Sequence, residues 1–108
     1  MGKRIVIITG ANSGIGKAAA IKFAKEGYRV IMACRNIERS KNAQEEIIAV
    51  SNSGHVELME LDVSSFTSIR HFCSDFKNNY EKLDILIHNA AYFNHGEKTI
   101  NLVMTRLN

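Results

Sequence analysis

Thr9-Gly10-Ala11-Asn12-Ser13-Gly14-Ile15-Gly16 separates an unbroken apolar run, Arg4 to Thr9 (RIVIIT), from a segment of helical period, Ile15 to Glu26. Strand, glycine turn, helix is the local order in which these glycines acquire a chemical meaning. Gly10 permits a tight turn off the strand, Gly14 lets a pyrophosphate approach the backbone, and Gly16 lets the helix pack closely on a sheet. The unpaired N–H groups of Asn12, Ser13, Gly14 and Ile15, at the positive end of the helix dipole, then supply an anion site.

Outward from that turn the pattern repeats. Three further apolar runs follow, Arg29 to Cys34 (RVIMAC), Val56 to Leu61 (VELMEL) and Leu83 to His88 (LDILIH). The first, second and fourth runs show little polar alternation, as strands buried on both faces of a parallel sheet do; the third alternates and belongs nearer an edge. Between them lie three helical segments. Ile15, Ala18, Ala19, Ile21 and Phe23 form the apolar stripe of the first, ended by Gly27. Ile37, Ala43, Ile47 and Val50 form that of the second, and Phe66, Ile69, Phe72, Cys73 and Phe76, after a Ser64-Ser65 cap, that of the third. The order strand, helix, strand, helix, strand, helix, strand predicts an α/β fold, a Rossmann-like doubly wound parallel sheet of strand order 3-2-1-4 with three helices, truncated after its fourth strand.

With 108 residues, 45% hydrophobic and 23% charged, the chain fits one domain and not two. No apolar run approaches the roughly 20 residues of a membrane helix, and Ile5 to Ile8 is too short for a signal-peptide core, so the expected address is cytoplasmic. Cys34 and Cys73 then read as reduced thiols without zinc-site spacing. The net charge of +3 is spread along the chain, so no nucleic-acid partner is expected. His71, His88 and His95 lack metal-ligand spacing, Cys34 reads as a small strand-end residue, and Glu45-Glu46 as a solvated helix face. Prolines are absent where average usage predicts about five, which fits turns built from glycine, serine and asparagine.

The spacing Thr-Gly-x-x-x-Gly-x-Gly, with Asp62-Val63 after the third strand and Asn89-Ala90 after the fourth, resembles the short-chain dehydrogenase/reductase family over roughly residues 3–98. That resemblance implies hydride transfer between a nicotinamide dinucleotide and an alcohol or carbonyl. It implies that Asp62 and the backbone of Val63 hold the adenine, and that Asn89 and Ala90 lie along the ribose and steady the sheet. The family's Asn-Asn-Ala-Gly reads His88-Asn89-Ala90-Ala91 here, departing at His88 and Ala91. Ala33-Cys34-Arg35-Asn36 and Leu61-Asp62-Val63-Ser64 look most like the branch of retinol dehydrogenases and related carbonyl reductases.

At the end of the second strand, a carboxylate suits the ribose hydroxyls of NAD and a basic group suits the 2′-phosphate of NADP. Cys34 occupies the acid's place, and Arg35, followed by Asn36, offers a planar fork for phosphate, so the expected cofactor is NADP rather than NAD. Lys17 adds positive charge nearby.

The family's catalytic tyrosine precedes a lysine by four residues. Tyr28 is followed at that distance by Met32, Tyr80 by Asp84 and Tyr92 by Gly96, so no catalytic residue is assigned. The expectation is a cofactor-binding part of such an enzyme, alternatively an inactive NADP-binding module or gene fragment. Residues 99–108 depart from the family pattern, and codons shifted by two nucleotides there can spell an acidic stretch like the family's, so a frameshift or truncation is the expected origin. Ile85, Leu86 and Ile87 would then lie on an exposed edge that invites self-association.

Overall fold

The computed structural model describes residues 3–12, 14–94 and 97–106. Strands β1 (Ile5–Thr9), β2 (Arg29–Cys34) and β3 (Val56–Glu60) alternate with helices α1 (Gly14–Lys25), α2 (Ile37–Ser51) and α3 (Phe66–Asn79). β4 (Ile85–Asn94) and β5 (Glu97–Arg106) complete a sheet of order β3-β2-β1-β4-β5. β1 pairs in parallel with β2 and β4, and β2 with β3. The parallel order 3-2-1-4 with three helices is the one the sequence predicts, and β3 lies at an edge.

The strand runs lack polar alternation because both faces are covered. Val6 and Ile8 of β1, with Val30, Met32 and Cys34 of β2, face α1 and α2. Ile5 and Ile7, with Ile31 and Ala33, face Phe72 of α3. Phe72, Phe76 and Tyr80 stack along one side of α3, at ring-centroid distances of 6.5 and 4.9 Å.

Three helix readings need correction. α1 buries Gly16, Ala20 and Ala24, not the larger stripe read from the sequence: Ile15 and Ala18 are exposed, and Ala19, Ile21 and Phe23 half-buried. Small residues at i, i+4 and i+8 let the helix axis come close to the sheet, so its bulkier residues flank the contact. In α2 the buried positions are Ser40, Ala43 and Ile47, while Val50 in the last turn is exposed. In α3 Phe66 is 86% exposed, because it is the first helical residue after the Ser65 N-cap and projects away from the sheet. Cys73 is exposed one position round from the Phe72 stripe.

The expected bare edge at β4 is also corrected. β5 pairs with it antiparallel, from Ile85↔Arg106 to Asn94↔Glu97. Ile100, Leu102 and Met104 sit at alternate positions, with Thr99, Asn101, Val103 and Thr105 between them, a pattern suited to a strand though interrupted at Val103, and an unpaired strand edge is a ready template for it.

A carboxylate fixes the start of β4 beside β1. Asp84 Oδ2 accepts the Ile5 N–H at 2.7 Å and pairs with Lys82 Nζ at 3.1 Å, and the Asp84 backbone N–H donates to Ile5 O. The Ile5 hydrogen bond, then Lys82, hold the Asp84 carboxyl below its ordinary value of 3.8. A depressed folded pKa stabilises the fold above the unfolded pKa, and that contribution is lost as pH falls through the folded value. Asp84→Asn is therefore expected to lower Tm by about 4 °C at neutral pH. The gap from the unsubstituted chain closes below about pH 4 in thermal melts followed by circular dichroism.

Candidate functional site

A cleft of about 370 Å³ opens beyond the carboxyl ends of β1, β2 and β3 and beside His88 and Asn89 of β4. β1 supplies its floor. The chain leaves the strand at Gly10 with φ +64°, a left-handed conformation that glycine adopts without penalty, and the Gly10 N–H donates to Ala33 O.

Asn89 clamps this turn. Its backbone N–H donates to Thr9 Oγ1 at 2.8 Å, and its Nδ2 donates to Gly10 O at 3.3 Å. A Cβ on Gly16 would lie 2.3 Å from Gly10 O and 2.7 Å from Asn89 Nδ2, and one on Gly10 would lie 2.8 Å from Asn89 O. The end of β1, the first turn of α1 and the middle of β4 thus meet at van der Waals limits. Gly14 differs: φ is +58°, and a Cβ there would meet nothing within 4 Å. The turn is tight where it meets its own chain and open where an anion would approach the start of α1.

The second wall comes from the β2–α2 connection. Cys34 is buried, whereas Arg35 and Arg39 are exposed and line the cleft. Asn36 Oδ1 accepts the Arg39 N–H at 2.9 Å, so Asn36 caps α2 while its Nδ2 stays available as a donor. Lys17 does not join them, since its Nζ pairs with Glu46 Oε1 at 2.5 Å and ties α1 to α2. Glu46 is therefore engaged, while Glu45 is exposed.

The third wall is the β3–α3 connection, Leu61 to Ser64. Asp62 Oδ1 accepts both the N–H and the hydroxyl of Ser64, at 3.0 and 2.6 Å, while its own N–H donates to Ser68 Oγ at 2.8 Å. The Ser64 hydrogen bonds, with a smaller contribution from Arg35, hold the Asp62 carboxyl below its ordinary value. Asp62 therefore stays ionised and presents Oδ2 as an acceptor.

Of the residues predicted from sequence, Gly10, Asn12, Arg35, Asn36, Asp62, Val63 and Asn89 line the cleft. Gly14, Ile15 and Gly16 form the first turn of α1. Ala90 follows Asn89 in β4 with its backbone paired opposite Asn101. Ser13 and His95 lie outside the described residues. Thr9, Arg39, Leu61, Ser64 and His88 also line the cleft and were not predicted. Arg39 carried a readable signal, an arginine three positions after the N-cap asparagine, so that the first turn of α2 returns it toward Arg35. Thr9 carried another, a polar residue closing a buried strand, which needs a hydrogen-bond partner.

A wider groove of about 1250 Å³ runs between β3 and α3, but Glu57, Glu60, Asp62 and Asp75 line it, and Arg29 there pairs with Glu57. It does not suit an anion. Among the described residues no group of three or more His, Cys, Asp or Glu is placed to hold a metal ion, and no helix is long and apolar enough to cross a membrane.

Fold and cleft together define a doubly wound α/β protein whose glycine turn and basic wall flank the switch point of the sheet. Residues 4–106 match the short chain dehydrogenase family model, and the chain belongs to that family, one of oxidoreductases that use nicotinamide dinucleotides. It is 41% identical over 103 residues to dehydrogenase/reductase SDR family member 13 of Homo sapiens, covering 94% of this chain and 27% of that protein. It is also 41% identical over 88 residues to human retinol dehydrogenase 13, covering 82% of this chain and again 27% of the relative. The chain thus spans about a quarter of the length of these relatives. Among solved structures, menthone neomenthol reductase from Mentha piperita superposes with a TM-score of 0.77 at 33% identity, over 85% of this chain and 33% of that one. A short chain dehydrogenase from Shigella flexneri complexed with NADP gives 0.74 at 28% identity, over 86% and 39%.

Proposed function

We propose that these residues form the cofactor-holding part of an NADP(H)-dependent dehydrogenase/reductase that interconverts alcohols and carbonyls. The observation that carries the reading is the β2–α2 wall, where a buried Cys34 stands in the acid's place and two exposed arginines, Arg35 and Arg39, line the same cleft. A 2′-phosphate needs a cationic partner and no carboxylate at the end of β2, and guanidinium forks match phosphate geometry.

The rest of the cleft fits the dinucleotide. Open space at Gly14 and the first N–H groups of α1 suit the pyrophosphate, and Asp62 Oδ2 and the Val63 backbone suit the adenine end. Asn89 holds the turn through Gly10 and Thr9. When bound, the nicotinamide supplies or accepts the hydride. The residues of the cleft bind and orient it, and turnover of an alcohol and carbonyl panel tests the reaction class.

Calorimetric titration tests the cofactor assignment. NADPH should bind tighter than NADH by about tenfold or more, the worth of a charge-assisted hydrogen bond, and Arg35→Ala should remove most of the difference. Preference for NADH would overturn the reading.

A further inference from the structure

The family's asparagine before Asn89 is replaced by His88, and the structure places that imidazole on the cleft wall, half-buried, with Nδ1 3.0 Å from Thr9 Oγ1. Thr9 is itself buried, so its hydroxyl has few partners to choose from. Its oxygen accepts the Asn89 N–H at 2.8 Å, and its one proton has two acceptors in reach, His88 Nδ1 and, at 3.4 Å, Asn89 O.

We propose that His88 is a proton-linked positioning residue of the cofactor cleft, strengthening the hold on the anionic dinucleotide when its imidazole is protonated. This rests on the cofactor reading above.

The hydrogen-bond geometry allows both charge states without moving a heavy atom. With a neutral ring, the Thr9 hydroxyl donates to a bare Nδ1. With a protonated ring, Nδ1–H donates to Thr9 Oγ1, and the hydroxyl proton turns to Asn89 O. In both arrangements Thr9 still accepts the Asn89 N–H, so the clamp on Gly10 survives. An asparagine in this place could donate or accept, but it could not add a charge.

Among the described residues, those lining the cleft with His88 come from three walls: Thr9 and Gly10 of β1, which are uncharged, Cys34, Arg35 and Arg39 of the β2–α2 connection, and Asp62 of the β3–α3 connection. Across β4, His88 is in register with Val103 of β5, flanked by Leu102 and Met104, none of them titratable. A bound dinucleotide would place negative charge beside the glycine turn, which favours the cationic ring over the neutral one. By linkage, binding draws a proton onto the ring, and a lower pH tightens binding.

The test is NADP⁺ affinity from pH 8 to pH 5.5 for the whole chain and for His88→Asn. The cofactor's own 2′-phosphate titrates in this range, so the quantity to read is the ratio of the two affinities, in which that titration cancels. The ratio should rise about fivefold in favour of the unsubstituted chain as pH falls. In the unsubstituted chain, the NMR resonances of the His88 ring should show it taking up its proton at higher pH when NADP⁺ is present. A ratio flat with pH, or a ring titration indifferent to NADP⁺, overturns the proposal while leaving the cofactor reading intact. Absence of NADP⁺ binding by both proteins at every pH overturns the cofactor reading, and this inference with it.

Discussion

Gly16→Ala is expected to reduce NADP⁺ affinity on the order of 100-fold, the scale of effect that about 1 Å of misplacement has on positioned groups. The added methyl would stand 2.3 Å from Gly10 O and 2.7 Å from Asn89 Nδ2. Neither atom can yield cheaply. Gly10 O belongs to the backbone of the turn, and Asn89 Nδ2 is held by its hydrogen bond to that same oxygen. The first turn of α1 must therefore withdraw from the strand, carrying with it the N–H groups that would face the pyrophosphate. Overpacking of this kind also costs about 1–3 kcal/mol of stability. Gly54, where a Cβ would meet nothing within 4 Å, is the control, and Gly54→Ala should leave affinity unchanged. Calorimetry beside a thermal melt measures both quantities. A folded Gly16→Ala protein binding NADP⁺ like the unsubstituted chain would show that the close approach of helix and turn does not set the site.

Ile31→Ala is expected to lower stability by about 2–5 kcal/mol. Ile31 is fully buried in the centre of β2 and packs with Ile5, Ile7, Ala33 and Phe72. On that face Phe72 of α3 is buried, and Phe76, Leu83 and Leu86 pack against the same cluster, so removing the Ile31 side chain leaves a cavity beneath them. For a domain whose whole stability is about 5–15 kcal/mol, the loss is a large fraction. Urea unfolding should show a fall in midpoint with an unchanged slope. Val50→Ala, at a half-exposed position, should stay within about 0.5 kcal/mol. A loss below about 1 kcal/mol for Ile31→Ala would mean that the α3 face repacks more freely than its geometry implies.

The parallel core was legible because its signal is local and redundant. Continuous Ile and Val runs, a glycine turn and alternating helical segments each pointed to the same sheet. The helix faces were less legible. A stripe of large apolar residues predicted what α1 buries, but the helix meets the sheet through Gly16, Ala20 and Ala24, and small residues announce a close approach only once the partner backbone is in place. Phe66 misled because hydrophobicity does not reveal that a residue occupies the first helical position. β5 was not legible because residues 97–106 depart from the family pattern and their own alternation is interrupted at Val103.

The cleft was legible where one residue type does one job, as at Gly10, Asp62 and Arg35. It was not legible where the role depends on partners distant in sequence. Asn36 spends its side-chain oxygen on a helix cap. Thr9 and His88 meet 79 residues apart, and nothing in either neighbourhood predicts that hydrogen bond.

The unequal covering of the two sheet faces also divides the cleft into parts of different local stability. Its glycine end is rooted in β1, β2 and α1, within the cluster that two helices enclose. Its opposite end hangs on the Leu61–Ser64 connection, which leads into a helix anchored by one buried phenylalanine. Segments with few buried contacts open ahead of the global transition, so the Leu61–Ser64 connection is expected to exchange its amide hydrogens sooner than the glycine turn. A dinucleotide bridging both ends, as proposed above, would couple them and spend part of its binding free energy on suppressing that local opening. The cofactor would thereby act as a tie across the sheet, joining the firm half of the fold to the yielding one.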